Sequence, residues 1–243
     1  MDFQPFRMQS EWLMKNRSPV ILAVDTSDKK RAIELIEATR DSISIFKLGL
    51  EFFSAHGRAG VEELRHRFGD FDLFLDLKLH DIPNTVAAAC KSIRDLNPRF
   101  LTVHASGGGE MIRAAVQELP ESSITAVTVL TSLNESSLRG MGINGSILEL
   151  SISMAQQAVS SGARSIVSSP LEVAAIRENV PSTIELITPG VRPQGAQAND
   201  QQRVMTPGDA LKSGANFVVI GRPITAAENP SSAAQEIIES LSR

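Results

Sequence analysis

The segment Asp76-Leu77-Lys78-Leu79-His80-Asp81-Ile82-Pro83-Asn84-Thr85 puts two carboxylates and an ammonium within six residues, directly after the apolar run Phe71, Leu73, Phe74, Leu75. A lysine held among carboxylates can stabilise developing negative charge and then donate a proton, which is the equipment of a general acid. On a strand, residues two apart point to the same face, so Asp76 and Lys78 are expected to act together. Asp81 falls where the strand should give way to a loop, and Pro83 where a helix should start. A buried ion pair stabilising a strand end is the bland alternative for D-x-K alone; the longer string favours an active site.

Strands and helices must position these groups. Short β-rich apolar runs occur at Val20–Val24, Ile43–Leu48, Leu73–Leu77, Phe100–His104, Ile124–Leu130, Ser165–Val167, Ile184–Thr188 and Phe217–Ile220. Helical spacing fills the intervals, as in Lys29–Arg40, Ala59–Phe68, Val86–Leu96 and Glu110–Glu118. Ser161-Gly162-Ala163-Arg164 and Ser213-Gly214-Ala215-Asn216 each stand just before an apolar run, where a glycine closes the helix of a βα unit. Eight such units predict an α/β chain folded as a single (β/α)8 barrel over residues 1–243. An open doubly wound sheet would want a glycine-rich phosphate turn after its first strand, and Val24-Asp25-Thr26-Ser27-Asp28 offers none. No linker, low-complexity tract or charge run divides the chain.

Barrels of this kind carry their catalytic groups at the C-terminal ends of the strands. Asp25 ends the first run, Lys47 lies near the end of the second, and Asp76 and Lys78 end the third. The fifth leads into Thr131-Ser132, the seventh into Pro189-Gly190-Val191-Arg192 and the eighth into Gly221-Arg222. Strands buried on both faces should be apolar, so polar groups at nearly every end mark a site. Gly221-Arg222-Pro223-Ile224 suits phosphate, because glycine lets backbone amides approach an anion and arginine offers a planar fork. Gly107-Gly108-Gly109 lacks the lysine and spacing of a P-loop and reads as a flexible βα loop. Thr188–Val204 and Ser132–Ile147 are long enough to serve as lids. His56, His66, His80 and His104 show no metal-ligand spacing, and His104 is placed to line the pocket.

The composition narrows the classes further. A hydrophobic share of 42% and a charged share of 21% are those of a soluble globular protein. The net charge of -4, with no basic block, argues against nucleic-acid binding. Cys90 is the single cysteine, which excludes an internal disulfide framework and a multi-cysteine metal site and suits a cytoplasmic protein. Met1 to Ser18 does not read as a signal peptide, and no apolar run is long enough to span a membrane.

D-x-K-x-x-D-I-P-N-T, T-V-H-A, T-V-L-T-S, P-G-V-R-P-Q-G and V-V-I-G-R-P-I, in this order, resemble the bacterial orotidine 5'-phosphate decarboxylases, and the likeness runs from Asp25 to Arg222. The resemblance implies a metal- and cofactor-free decarboxylation of orotidine 5'-monophosphate in a homodimer with shared active sites. It makes Lys78 the proton donor to the carbon that loses carbon dioxide, within a charged array of Lys47, Asp76, Lys78 and Asp81, the last supplied by the second subunit. Asp25 and Lys47 would hold the ribose, Thr85 would assist from the partner, and Thr131 and Ser132 would contact the pyrimidine. Arg192, Gln201, Gly221 and Arg222 would serve the phosphate side, and either Gln194 or Gln201 would bridge base and phosphate. Two other readings stand beside this one: a magnesium-dependent sugar-phosphate decarboxylase of the same suprafamily, and a non-catalytic phosphate-binding barrel.

Overall fold

Each apolar run forms a strand, and each strand pairs in parallel with the next until the eighth closes on the first. The strands are β1 Val20–Ala23, β2 Ile45–Gly49, β3 Asp72–Leu79, β4 Phe100–His104, β5 Ser123–Val127, β6 Ser165–Val167, β7 Glu185–Thr188 and β8 Phe217–Ile220. The structure, a computed structural model, describes residues 18–69, 71–191 and 205–241. Among them ten α-helices follow in the order α1 Lys29–Thr39, α2 Leu50–Phe68, α3 Pro83–Ile93, α4 Gly108–Glu118, α5 Glu135–Gly140, α6 Ile147–Ser160, α7 Val173–Asn179, α8 Pro207–Lys212, α9 Arg222–Thr225 and α10 Pro230–Ser240. The α/β barrel expected from the alternation is therefore the fold.

Local chemistry explains the boundaries. Pro83 opens α3, where its missing N–H is harmless and its fixed φ already suits a helix. The Asp28 carboxylate accepts from the Lys30 N–H at the start of α1, and Ser146 and Glu149 form a reciprocal capping box on α6. Gly162 and Gly214 adopt φ of +97° and +105° between their helices and the strands that follow, the left-handed geometry that glycine accepts without strain. Gly108 and Gly109 belong to α4 rather than to a flexible loop. A Cβ on Gly107, just before them, would lie 2.2 Å from Met111 Sδ, so a larger residue there would push the Met111 side chain aside.

The strands sort their side chains by alternation. One set, including Leu22, Phe46, Leu48, Leu73, Leu75 and Leu101, packs outward against the helices. The other fills the barrel with Ile21, Ala23, Ile45, Phe74, Phe100, Ile187 and Val219. The Phe74, Phe100 and Phe217 rings stack at centroid separations of 5.5 and 5.8 Å, a solid floor rather than a pore. Below it, Arg99 lies over the Phe100 and Phe217 rings and pairs with Asp72 at 2.8 Å and Glu185 at 3.1 Å. Moving two residues along β1, β2, β3 and β4 from the floor leads to Asp25, Lys47, Asp76 and Thr102. The floor thus sets the height of the polar layer.

One strand departs from regular pairing. Leu75 faces Leu101 and Leu79 faces Val103, so Asp76, Leu77 and Lys78 stand opposite Thr102 alone. Lys78 takes φ of +48°, rare for a residue with a side chain. Bulges of this kind re-aim side chains beside active sites.

Candidate active site

Lys47 and Asp76 are the charged residues driven into the barrel, 7% and 8% exposed. Lys47 Nζ donates to Asp25 Oδ1 at 2.7 Å and stands 3.3 Å from Asp76 Oδ2. The other oxygen, Asp76 Oδ1, accepts from Lys78 Nζ at 2.7 Å and from Thr102 Oγ1 at 2.9 Å. Negative and positive charge therefore alternate along Asp25, Lys47, Asp76 and Lys78, contributed by three adjacent strands. Gly49 keeps the first pair together: a Cβ there would lie 2.8 Å from Asp25 Oδ1 and 3.2 Å from Lys47 Nζ.

Burial opposes charge on Lys47, but the Asp76 and Asp25 carboxylates outweigh it and hold its pKa above the ordinary lysine value. Burial likewise opposes charge on Asp76, and Lys47, Lys78 and the Thr102 hydroxyl overcome it and hold the carboxyl below its usual range. Burial, with His80 and Lys78 nearby, lowers His104. A depressed Asp76 contributes stability above about pH 4 and loses it as pH falls through the lower folded value; a raised Lys47 contributes below about pH 10 and loses it as pH rises through the higher one. Asp76→Asn is therefore expected to lower unfolding free energy by about 2 kcal/mol at neutral pH, less than for a fully buried pair because the cluster borders a cavity. Urea unfolding of parent and variant at a series of pH values checks this: the gap should shrink below about pH 4, and a gap that persists through strong acid would remove the linkage.

Two cavities meet at the cluster, sharing Lys47, Asp76, Lys78, Pro189 and Val219. One, of about 190 Å³, reaches toward β5 and β6 and is walled by Val127, Val129, Leu130, Thr131 and Val167. The other, of about 480 Å³, opens toward β1 and β8 past Asp25, Gly190, Gly221 and Arg222. The structure thus brings together Asp25, Lys47, Asp76, Lys78, Thr131, Gly221 and Arg222. Ser132 is exposed beside Thr131 and is not part of either wall. Asp81 and Thr85 are exposed too, and the Asp81 carboxylate accepts from the Ile82 N–H at 2.7 Å. Arg192, Gln194 and Gln201 lie outside the described residues.

Residues 18–237 match the family described as "Orotidine 5'-phosphate decarboxylase / HUMPS family". The orotidine 5'-phosphate decarboxylase of Thermobifida fusca is 47% identical over 226 residues, covering 93% of this chain and 97% of that protein. That of Paramagnetospirillum magneticum is 45% identical over 229 residues, covering 90% and 97%. The crystal structure of the orotidine 5'-phosphate decarboxylase from Lactobacillus acidophilus superposes with a TM-score of 0.81 at 33% identity, covering 93% of this chain and all of that one. The chain belongs to the orotidine 5'-phosphate decarboxylase / HUMPS family. The family match spans all eight strands and every candidate site residue, the three at 192, 194 and 201 included.

Two features of this family member escape a reading of the sequence. Thr102, in the middle of β4, reads as an ordinary β-former, yet it touches both Asp76 and Lys78. Ser168 stands just past β6 in the wall of the smaller cavity, its buried hydroxyl without a partner among the described residues. An alternation count continued past Val167 would have put Ser168 on the outward side, so no simple periodicity announces it. Among the described residues, no group of three or more His, Cys, Asp and Glu side chains stands close enough to hold a metal, and no helix is long and apolar enough to cross a membrane.

Proposed function

We propose that this chain converts orotidine 5'-monophosphate to uridine 5'-monophosphate and carbon dioxide, the last step of de novo pyrimidine nucleotide synthesis, without metal or cofactor. The observation that carries the reading is the alternating row of Asp25, Lys47, Asp76 and Lys78 at the junction of an apolar and a polar cavity. The apolar cavity suits a flat pyrimidine, with Thr131 in its wall as a polar contact and Ser132, exposed just outside the wall, proposed as a second. The larger cavity suits the ribose phosphate, with Asp25 and Lys47 on the ribose hydroxyls and Gly221 and Arg222 on the phosphate, aided by Arg192, Gln194 and Gln201.

In this reading the bond from ring carbon to carboxylate breaks, carbon dioxide leaves and the electron pair stays on the ring carbon. Lys78 Nζ stabilises that charge and delivers its proton to the same carbon. Asp76 holds the ammonium in place at 2.7 Å. Its charge also repels the substrate carboxylate, by about 4 kcal/mol at 4 Å and an effective dielectric near 20, and the repulsion falls away with carbon dioxide. Phosphate binding, remote from the reacting carbon, stabilises the charged closed site.

The reading includes a homodimer, with the partner's Asp81 and the partner's Thr85 completing each pocket. Its support is at the barrel mouth, where Asp81 and Thr85 lie exposed beside Ile82, which is 65% exposed, while Leu50, just past the end of the neighbouring strand β2, is 55% exposed. Apolar side chains left open there suit coverage by a second copy. We read the whole chain as one barrel domain working in the cytoplasm, consistent with its single buried thiol, Cys90.

A magnesium-dependent sugar-phosphate enzyme would need an anionic ligand near Asp76, and the Lys47 ammonium stands there instead, where it repels a cation. Turnover of orotidine 5'-monophosphate, followed by pyrimidine absorbance in the presence of a chelator, tests the proposal. Undiminished activity is expected; loss of activity that magnesium restores would favour the sugar-phosphate chemistry, and no turnover at all a binding barrel. Arg222→Ala should weaken kcat/KM for the nucleotide far more than for the nucleoside lacking phosphate, since a charge-assisted contact contributes about 1.5–3 kcal/mol. Equal losses for both substrates would remove Arg222 from the phosphate site.

A further inference from the structure

Thr102 is fully buried in β4, and one oxygen serves both ends of the same lysine. Its Oγ1 accepts the Lys78 backbone N–H at 2.8 Å and donates to Asp76 Oδ1 at 2.9 Å. The Lys78 ammonium donates to that same carboxylate oxygen at 2.7 Å. Backbone N–H, hydroxyl, carboxylate and ammonium therefore form a closed ring of hydrogen bonds that begins and ends on Lys78. A hydroxyl, with one donor and two lone pairs, fills both roles at once.

We propose that Thr102 is a positioning residue for Lys78, fixing the lysine's backbone in the bulge and the carboxylate that aims its ammonium. The inference rests on the reading of Lys78 as proton donor. Two observations make the hydroxyl necessary. Thr102 alone faces three residues of β3, so it is the group placed to receive the N–H that the bulge turns out of the ladder. Lys78 holds φ of +48°, and a side-chain-bearing residue keeps such a conformation only where its surroundings over-determine it. A lysine head on a flexible stem then depends on that anchored backbone for its aim. Misplacement by about 1 Å can lower a rate by about 100-fold.

Thr102→Val keeps the shape of the side chain and removes both hydrogen bonds, while Thr102→Ser keeps the hydroxyl. Assayed as the full chain, Thr102→Val is expected to lose about 100-fold in kcat, with KM and affinity for uridine 5'-monophosphate within about threefold of the parent. Thr102→Ser should stay within about fivefold in kcat, since the ring is intact. Thr102→Ala gives the same reading as Thr102→Val if the valine variant fails to fold. Near-parental kcat in Thr102→Val or Thr102→Ala would overturn the inference. So would a Thr102→Ser loss as large as that of Thr102→Val, or a parallel fall in kcat and product affinity, which would mark a collapsed pocket. An inactive parent would instead sink the decarboxylase reading itself, whereas an active parent with an unimpaired valine variant sinks only the role of Thr102.

Discussion

Lys78→Ala is expected to abolish decarboxylation while leaving affinity for uridine 5'-monophosphate nearly intact. Lys78 is the ammonium at the end of β3, and it lies in the wall shared by the two cavities. General acids contribute about 10²–10⁴-fold, and in the proposed mechanism the same group also stabilises the carbanion, so the loss should reach the upper part of that range or beyond. The fold should tolerate the change. Asp76 keeps Lys47 at 3.3 Å and the Thr102 hydroxyl at 2.9 Å, so its carboxylate is not left alone in the barrel. Alanine inherits the same positive φ as lysine, so backbone strain is unchanged between the two. Turnover by pyrimidine absorbance and product binding by titration are the two measurements. A variant within about tenfold of the parent would sink Lys78 as the acid.

The second large effect is recovery of activity from two dead proteins. If Asp81 serves the pocket of the other subunit, as proposed, neither the Lys78→Ala nor the Asp81→Ala homodimer should turn over substrate. A hybrid of the two carries both lesions in one pocket and neither in the other. Random mixing of equal amounts makes about half the dimers hybrid and leaves about a quarter of all pockets intact, given two-fold symmetry. Co-refolding the variants should therefore restore roughly a quarter of parental activity. Silence in a preparation shown to have exchanged subunits would put Asp81 in its own chain's pocket or outside the site. The exposed setting of Asp81, its carboxylate bonded only locally to the Ile82 N–H among the described residues, is what makes service across an interface the reading to test.

Much of the fold was legible because apolar runs and glycine closures are local signals. β4, β6 and β8 match the sequence ranges residue for residue, and Pro83 opens its helix as its chemistry requires. Departures occur where a partner strand decides. The run Ile124–Leu130 continues to read as strand, yet pairing ends at Val127, and Val129 and Leu130 turn into the cavity wall. β3 runs on to Leu79 because the bulge lets Leu79 regain a partner in Val103. In the site, Asp25, Lys47, Asp76 and Lys78 were legible as charges at strand ends, since a charge in an apolar context demands an explanation. Thr102 was not, because its meaning lies in the offset between two strands, which no single run encodes. Nor does spacing convey that Asp76 and Lys78 meet through a bulge rather than by simple alternation.

The charged layer also bears on how the chain reaches its native pairing. A slip of β3 by one residue would exchange the two faces of the strand, turning Asp76 toward the helices and Leu75 into the barrel. Asp76 would then leave Lys47 and Thr102, its partners on β2 and β4, for an apolar layer of leucine and phenylalanine, where a carboxylate stripped of those partners costs several kcal/mol. Neighbouring apolar residues could exchange places at far smaller penalty, because leucine and phenylalanine fit either layer. The Asp76 carboxylate thus also works as a register pin, since a barrel closed one residue out of step would strand its charge among apolar side chains.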